Sequence, residues 1–421
     1  MAQNTDRNLL HQTIYSVFVR NHTQEGTFRA LEGDLPRIRS LGTDIVWLMP
    51  IHPIGEVGRK GTLGSPYAIR DYRAINPEYG TMEDFTHLVD AIHQQGMRCI
   101  IDVVYNHTSP DSVLAQEHPE FFLRDSQGQP TRKVADWWDI VDLDYTNRDL
   151  WRYQIDTLKQ WAAIVDGFRC DVASSVPVAF WVQARREVAA VRPDCLWLAE
   201  SVHGAYVREM RRMGAGCATD TDLHEAFDLT YEYDLWPYFE SALAGETMLA
   251  RYIDLLNYQE LTYPTGSIKA RFLENHDTPR VAASLHSEAQ LQSWLAFLYF
   301  RRGTTMLYGG TERGCRHQVG LFDKDDNFAQ STWQMDGFVA RCKAMKETLP
   351  LNGAVWYEAS GSTAIGHYAG AEGKVLGVFD LSGDGCDVAV DLPDGTYANR
   401  LGGTVTVEGG RLRLAGEPTV I

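Results

Sequence analysis

The sequence predicts an α/β fold: a closed (β/α)8 TIM barrel with a short excursion after its third strand and an antiparallel β domain behind it. Three observations predict this. Eight short apolar runs alternate with amphipathic stretches of helical length, which argues for βα units and a parallel sheet that closes on itself. After about residue 345 the pattern changes to alternation of period two, broken by turn signals. Between the third and fourth strands, residues 108–142 are rich in Asp, Pro, Gln, Gly and Trp and too long for an ordinary βα loop, so they read as a functional excursion or small subdomain. A doubly wound open sheet is the competing arrangement of the same units.

In chain order the expected strands are IYSVFVR (14–20), DIVWLMP (44–50), RCIIDVVYNH (98–107), VDGFRCD (165–171), CLWLAES (195–201), AFDLTYEYD (226–234), IKARFLENHD (268–277) and TTMLYGGTE (304–312). Between them, 77–96 keeps Phe85, Leu88, Val89 and Ile92 at helical spacing, and Gly96 stops that helix. A second helix, 180–193, ends at Pro193. Past 345, TAIGHYAG, KVLGVFDL, CDVAVDL and TVTVEGGRLRLAG alternate as strands around SGDG, PDG and EGG turns.

Composition narrows the partner. A formal charge of -17 repels phosphate backbones and anionic bilayers, so neither nucleic acid nor a membrane is expected as a partner. With 11 Trp and 19 Tyr, the chain suits sugars, whose C–H faces stack on rings while their hydroxyls bond carboxylates and amides. The start, MAQNTDRNLL, lacks a basic segment followed by an apolar run, and no later stretch is long and apolar enough for a membrane span; a cytoplasmic protein is expected. Seven scattered cysteines without a CxxC pair signal neither a disulfide framework nor a zinc site.

Barrel chemistry sits at the C-terminal strand ends. Strand three ends in Asp102, Asn106 and His107, strand four in Arg169 and Asp171, and strand five in Glu200. Strand seven ends in Asn275, His276 and Asp277, and strand eight in Tyr308 and Glu312. Arg169 and Asp171, two positions apart, share a strand face and can meet. A structural ion pair would use the same residues. As a catalytic pair, the arginine is expected to keep Asp171 ionised and lower its pKa, which suits a nucleophile.

The strings DVVYNH (102–107), GFRCD (167–171), LAES (198–201) and FLENHD (272–277) resemble, in order and spacing, the four signature regions of the α-amylase family of glycoside hydrolases, the retaining family 13 type. GSPYAIRDYRAINPEYGT (64–81), VDLDYTN (141–147) and GTTMLYGGTE (303–312) agree, and the likeness covers roughly residues 12–345. It implies a barrel of residues 1–107 and 143–345, a short domain B at 108–142 and a C-terminal β-sandwich-like domain at 346–421. It also implies Asp171 as nucleophile, Glu200 as general acid and base, and Asp277 as the carboxylate that binds sugar hydroxyls and steadies the transition state. Arg169 would orient Asp171, His107 and His276 would bond the sugar, Tyr67 would stack beneath its ring, and Asp102 and Asn106 would support the strand-three loop. The activity implied is cleavage of α-glucosidic bonds in maltodextrins or short α-gluco-oligosaccharides through a covalent glycosyl-enzyme. A transglycosylase or sugar isomerase using the same intermediate is the alternative. A non-catalytic binding barrel would need none of the three carboxylates.

Two departures bear on specificity and metal. The Lys-His pair that often follows the nucleophile is replaced by Val172, Ala173, Ser174 and Ser175, which removes a grip on leaving-side sugars. The missing segment also helps hold the family's structural calcium, the excursion is short, and the loop Asn21 to Gly26 lacks DxNxDG spacing. No metal ligand set and no cofactor are therefore expected, calcium included.

Overall fold

The computed structural model describes residues 1–370 and 373–421. The strands run β1 Thr13–Val17, β2 Ile45–Leu48 and β3 Arg98–Val103, then β4 His107–Thr108 and β5 Val141–Asp142 in the excursion. They continue with β6 Gly167–Cys170, β7 Leu196–Ala199, β8 Leu229–Tyr231, β9 Ile268–Arg271 and β10 Thr304–Tyr308. All strands but β4 and β5 pair in parallel in the order β1-β10-β9-β8-β7-β6-β3-β2, and β1 closes on β10 and β2. Closure rules out the open doubly wound sheet. These strands are buried on both faces almost throughout, which is why they read as continuous apolar runs and not as alternating ones.

Each expected strand is present but shorter. The stretch expected at 98–107 splits, because the chain leaves the barrel after Val103 and His107–Thr108 instead pair antiparallel with Val141–Asp142. This small ladder opens and closes the excursion. Similarly, β9 stops at Arg271 and leaves 272–277 as a loop over the barrel mouth. Gly167 has its own reason: a Cβ there would lie 2.3 Å from the carbonyl oxygen of Leu196, so only glycine lets β6 lie this close to β7. Helix Met82–Gln94 starts at a capping box of Thr81 and Asp84 and buries Phe85, Leu88, Val89 and Ile92. The second expected helix spans Val178–Val188.

Behind the barrel lie two antiparallel sheets, β11 Ala354–Ser360, β12 Thr363–Gly370, β13 Gly373–Asp380 with β18 Thr419–Val420, and β14 Cys386–Ala389, β15 Gly395–Ala398, β16 Thr404–Glu408, β17 Arg411–Leu414. The first docks on barrel helix Glu288–Phe300 through Phe297 and Phe300 against Tyr357, Tyr368 and Phe379. The expected boundary at 345/346 falls inside helix Asp336–Glu347, and the first strand beyond it begins at Ala354. Among the described residues no helix is long and apolar enough to cross a membrane.

Candidate active site

Parallel register puts Asp102 of β3 beside Arg169 of β6, and the next strand ends bring Asp171 and Glu200 to the same spot. Arg169 is fully buried and serves three carboxylates. Its Nη1 donates to Asp102 (2.9 and 3.0 Å) and to Asp171 Oδ1 (2.9 Å), and its Nη2 lies 3.0 Å from Glu200 Oε2. Trp47, Tyr67 and Tyr231 present ring faces to the guanidinium at 5.1, 5.8 and 5.4 Å.

The remaining polar atoms are placed with equal economy. Asp171 Oδ2 is buried without a hydrogen-bond partner among the described residues, and His107 Nε2 lies 3.9 Å from it. Val172, a β-branched residue held in the left-handed region at φ 40°, turns its N–H onto Glu200 Oε2 at 2.7 Å. The Val172 N–H is thus the hydrogen bond that Glu200 accepts among the described residues; Arg169 Nη2 faces the same oxygen as an ion-pair partner outside hydrogen-bond geometry, and Oε1 accepts none. Tyr67 donates to Asp102 Oδ2 (3.0 Å) and stacks on His276 at 5.4 Å, while His276 Nε2 lies 3.1 Å from Asp277.

Electrostatics correct one expectation. Arg169 does not hold Asp171 below the ordinary carboxylate range: burial outweighs the guanidinium and pushes Asp171 up to about 7. Burial does the same to Glu200, also to about 7, and to Asp102, to about 6. One cation shared by three buried acids is too little. His107 is pushed down to about 4 by burial, so its ring is neutral. Asp277 is held below its usual range despite burial, because His276 bonds it, and His276 is raised in turn by Asp277.

These groups open into a cleft of about 450 Å³. The structure brings Asp171, Glu200, Asp277, Tyr67, His107 and His276 to its wall, whereas Asp102, Asn106 and Arg169 lie beneath it. Asp102 bonds Arg169 and Tyr67, and Asn106 bonds His107 and Lys133. Two strand-eight residues go elsewhere. Tyr308 packs against Arg280, and Glu312 is buried against Tyr15 and Arg37 at 2.7 Å each, because the chain turns away at Gly310.

Sequence reasoning missed the aromatic rim. Trp137 of the excursion, Tyr206 and His203 after β7, Tyr233 and Trp236 after β8, and Phe322 after β10 all line the cleft. Proximity to a strand end would have found Tyr233 and His203; nothing local marks Phe322. Among the described residues no group of three or more His, Cys, Asp or Glu side chains is arranged to hold a metal.

A model of the alpha amylase catalytic domain matches residues 11–140 and 134–348, and one of the bacterial alpha amylase C-terminal domain matches 357–421. The chain is 45% identical to a solved alpha-amylase from Lactobacillus plantarum, with a TM-score of 0.96 over 99% of both chains. It is 34% identical to a noncanonic maltogenic alpha-amylase, AmyB, from Thermotoga neapolitana, with a TM-score of 0.86 over 98% of both. Among curated relatives, it is 32% identical over 256 residues to an alpha-1,4-glucan:maltose-1-phosphate maltosyltransferase of Myxococcus xanthus, covering 54% of this chain and 36% of the relative. It is 26% identical over 314 residues to alpha-amylase MalA of Haloarcula japonica, covering 72% and 44%. The chain thus spans less than half the length of these curated relatives.

Proposed function

The chain belongs to the alpha-amylase family, and from that premise we propose that it is a retaining glycoside hydrolase acting on α-glucosidic bonds of maltodextrins and short α-gluco-oligosaccharides. The observation that carries this reading is the division of oxygens around Arg169. Asp171 Oδ2 is free to attack the anomeric carbon while Oδ1 is held by the guanidinium. Glu200 Oε2 accepts the Val172 N–H and faces the positive charge of Arg169, so its proton sits on Oε1 and passes to the glycosidic oxygen as that bond breaks. Glu200, now ionised, takes a proton from water, whose oxygen displaces Asp171 from the sugar. Asp277 binds sugar hydroxyls and steadies the positive charge that builds at the anomeric centre.

Transfer to a second sugar is the competing outcome, favoured by the faces of Tyr206, Tyr233 and Trp236 near Glu200, which suit an acceptor sugar. The maltosyltransferase relatives carry a phosphate donor in their name. Such a donor fits this cleft poorly: Asp139, Asp171, Glu200, Glu240 and Asp277 line it, and its ammonium, Lys60, is paired with Asp139 at 3.0 Å. A neutral substrate is favoured. The seven cysteines are unbridged, which fits the cytoplasmic setting we propose, where imported oligosaccharides are at hand and starch is not.

The test is product analysis by proton NMR on maltose to maltoheptaose, starch and maltose-1-phosphate. Expected are an α-anomer as first product, free reducing sugar as the main product, and kcat/KM favouring short chains. A β-anomer refutes retention, accumulated longer glucans make transfer the main reaction, and release of phosphate as the preferred reaction refutes the charge argument.

A further inference from the structure

Lys133 belongs to the excursion, does not line the cleft and lies outside every signature string of the sequence. Its position is nonetheless tied to the chemistry by a chain of atoms whose hydrogen-bonding roles are forced. The β4–β5 ladder sets His107 opposite Asp142. Lys133 reaches across it: its backbone N–H (3.0 Å) and its ammonium (2.9 Å) both address Asp142 Oδ2, and the ammonium lies 3.2 Å from Asn106 Oδ1. An ammonium can only donate, so the Asn106 atom facing it is the carbonyl oxygen. The amide nitrogen then faces the other way, where His107 Nδ1 lies 3.0 Å off. Because NH2 only donates, Nδ1 must accept, and a neutral imidazole is left with its proton on Nε2. That nitrogen is the one 3.9 Å from Asp171 Oδ2.

We propose that Lys133 is a positioning residue for the reaction: through Asn106 it selects the Nε2–H tautomer of His107, so that a donor and not a lone pair faces the free oxygen of Asp171 and the sugar bound there. The proposal rests on the reading of Asp171 as nucleophile given above. In the opposite tautomer a lone pair would face the carboxylate, repelling it, and the ring could no longer donate to a sugar hydroxyl. Burial keeps the ring neutral, which is the condition under which the choice of tautomer matters. The base of the excursion thereby sets a proton in the barrel mouth, two residues removed from it.

The experiment is nitrogen NMR of ring-labelled histidine, with His107→Gln as assignment control, alongside kinetics on maltotriose. Wild type should show His107 protonated at Nε2 with Nδ1 as acceptor. Lys133→Met, which keeps the stem and removes the donor, should give a mixture of tautomers and lower kcat by about tenfold or more while KM stays within about twofold. Lys133→Arg, which still donates, should keep the wild-type tautomer and most of kcat. Should Lys133→Met not fold, Asn106→Asp takes its place: the new carboxylate accepts from Lys133 but cannot donate to Nδ1, so the ring proton should move to Nδ1. An unchanged Nε2–H pattern in either variant overturns the proposal, even if kcat falls, since the loss would then come from a loosened excursion. Wild type that turns over no α-glucoside would refute the functional reading instead, and the tautomer measurement would still judge the relay.

Discussion

Two buried ionic clusters lie on opposite faces of the barrel wall, and they differ in their ratio of charges. Outside, between β8, β9 and the surrounding helices, Glu232 is met by both Arg271 and Arg301, the latter at 3.0 and 2.9 Å, with Tyr252 and Gln259 completing the set. At the mouth, one guanidinium serves Asp102, Asp171 and Glu200. Surplus cation leaves the outer carboxylate fully engaged; surplus acid leaves the inner ones able to hold a proton and leaves Asp171 Oδ2 without a partner. Burial is common to both, so what separates the mouth cluster from the Glu232 cluster is its excess of acid over cation.

The sharpest way to break this contrast is to neutralise one acid in each cluster. Asp171→Asn should lower turnover of maltotriose by about a thousandfold or more, with the fold kept, since under the proposed mechanism it removes the nucleophile, and it relieves like-charge crowding. Glu232→Gln should do the reverse: it strands buried arginines, costs about 3 to 5 kcal/mol of stability, and leaves kcat of the folded fraction near wild type. Urea melts and turnover on both variants decide it. If Asp171→Asn destabilises as much as Glu232→Gln and keeps its turnover, the mouth cluster is structural.

Next in size is Glu200→Gln. An amide cannot give up a proton, so a natural disaccharide should lose about a hundredfold or more in glycosylation, while a nitrophenyl glucoside, whose leaving group departs without help, should lose markedly less. Equal losses on both substrates would remove Glu200 from the acid role.

How far the sequence foretold all this depends on the kind of interaction. Asp102, Arg169, Asp171 and Glu200 were legible because alternation along a strand and the location of chemistry at barrel strand ends are local rules. The direction of the Asp171 shift was not legible, because it turns on how completely the carboxyl is buried and on Arg169 being shared with two other acids from β3 and β7. Glu312 was misplaced for a related reason: Gly310, at φ 101°, turns the chain off the strand axis, and the side chain meets Tyr15 and Arg37 instead of the cleft. Strands β11, β15 and β18 went unread because they are short or largely exposed and carry little apolar alternation. Trp137 and Phe322 come from loops, where spacing along the chain says little about direction in space, and Tyr206 comes from helix Gly204–Arg212, which stands beyond the strand end.

A smaller effect follows from the raised carboxyls. Asp171 lifted from its ordinary range near 4 to about 7 means that the native state binds more protons than the unfolded chain across that window. Its share of stability is thus present below about pH 4 and declines as pH rises to about 7. Asp171→Asn removes that decline, so the melting temperature of the variant minus that of wild type should grow between these limits and level off above them. A flat difference would mean that Arg169 does compensate Asp171 after all, and the contrast between the two clusters would fail.

The smallest expected effect is that of a chelator, and it tests whether lysines serve where a bound cation otherwise could. At the base of the excursion the Asn106 and Asp142 oxygens face the ammonium of Lys133 at 3.2 and 2.9 Å. In the loop after β1, Asn21 Oδ1 accepts from the Asp325 N–H at 2.9 Å, and Lys324 donates to the carbonyls of Arg20 and Thr23. In both places oxygens that could ligate a hard cation already face donors, and an ammonium among them repels a second positive charge. A bound ion raises stability in proportion to the logarithm of its concentration over its dissociation constant, so even modest binding would register as a shift in melting temperature. Excess chelator should therefore leave both melting temperature and kcat within error of the untreated enzyme. Lys133→Met is the variant in which added calcium should begin to matter, because it frees the oxygens of Asn106 and Asp142. A chelator-induced drop in wild type, reversed by calcium, would show that the ammonium groups do not substitute for a metal here.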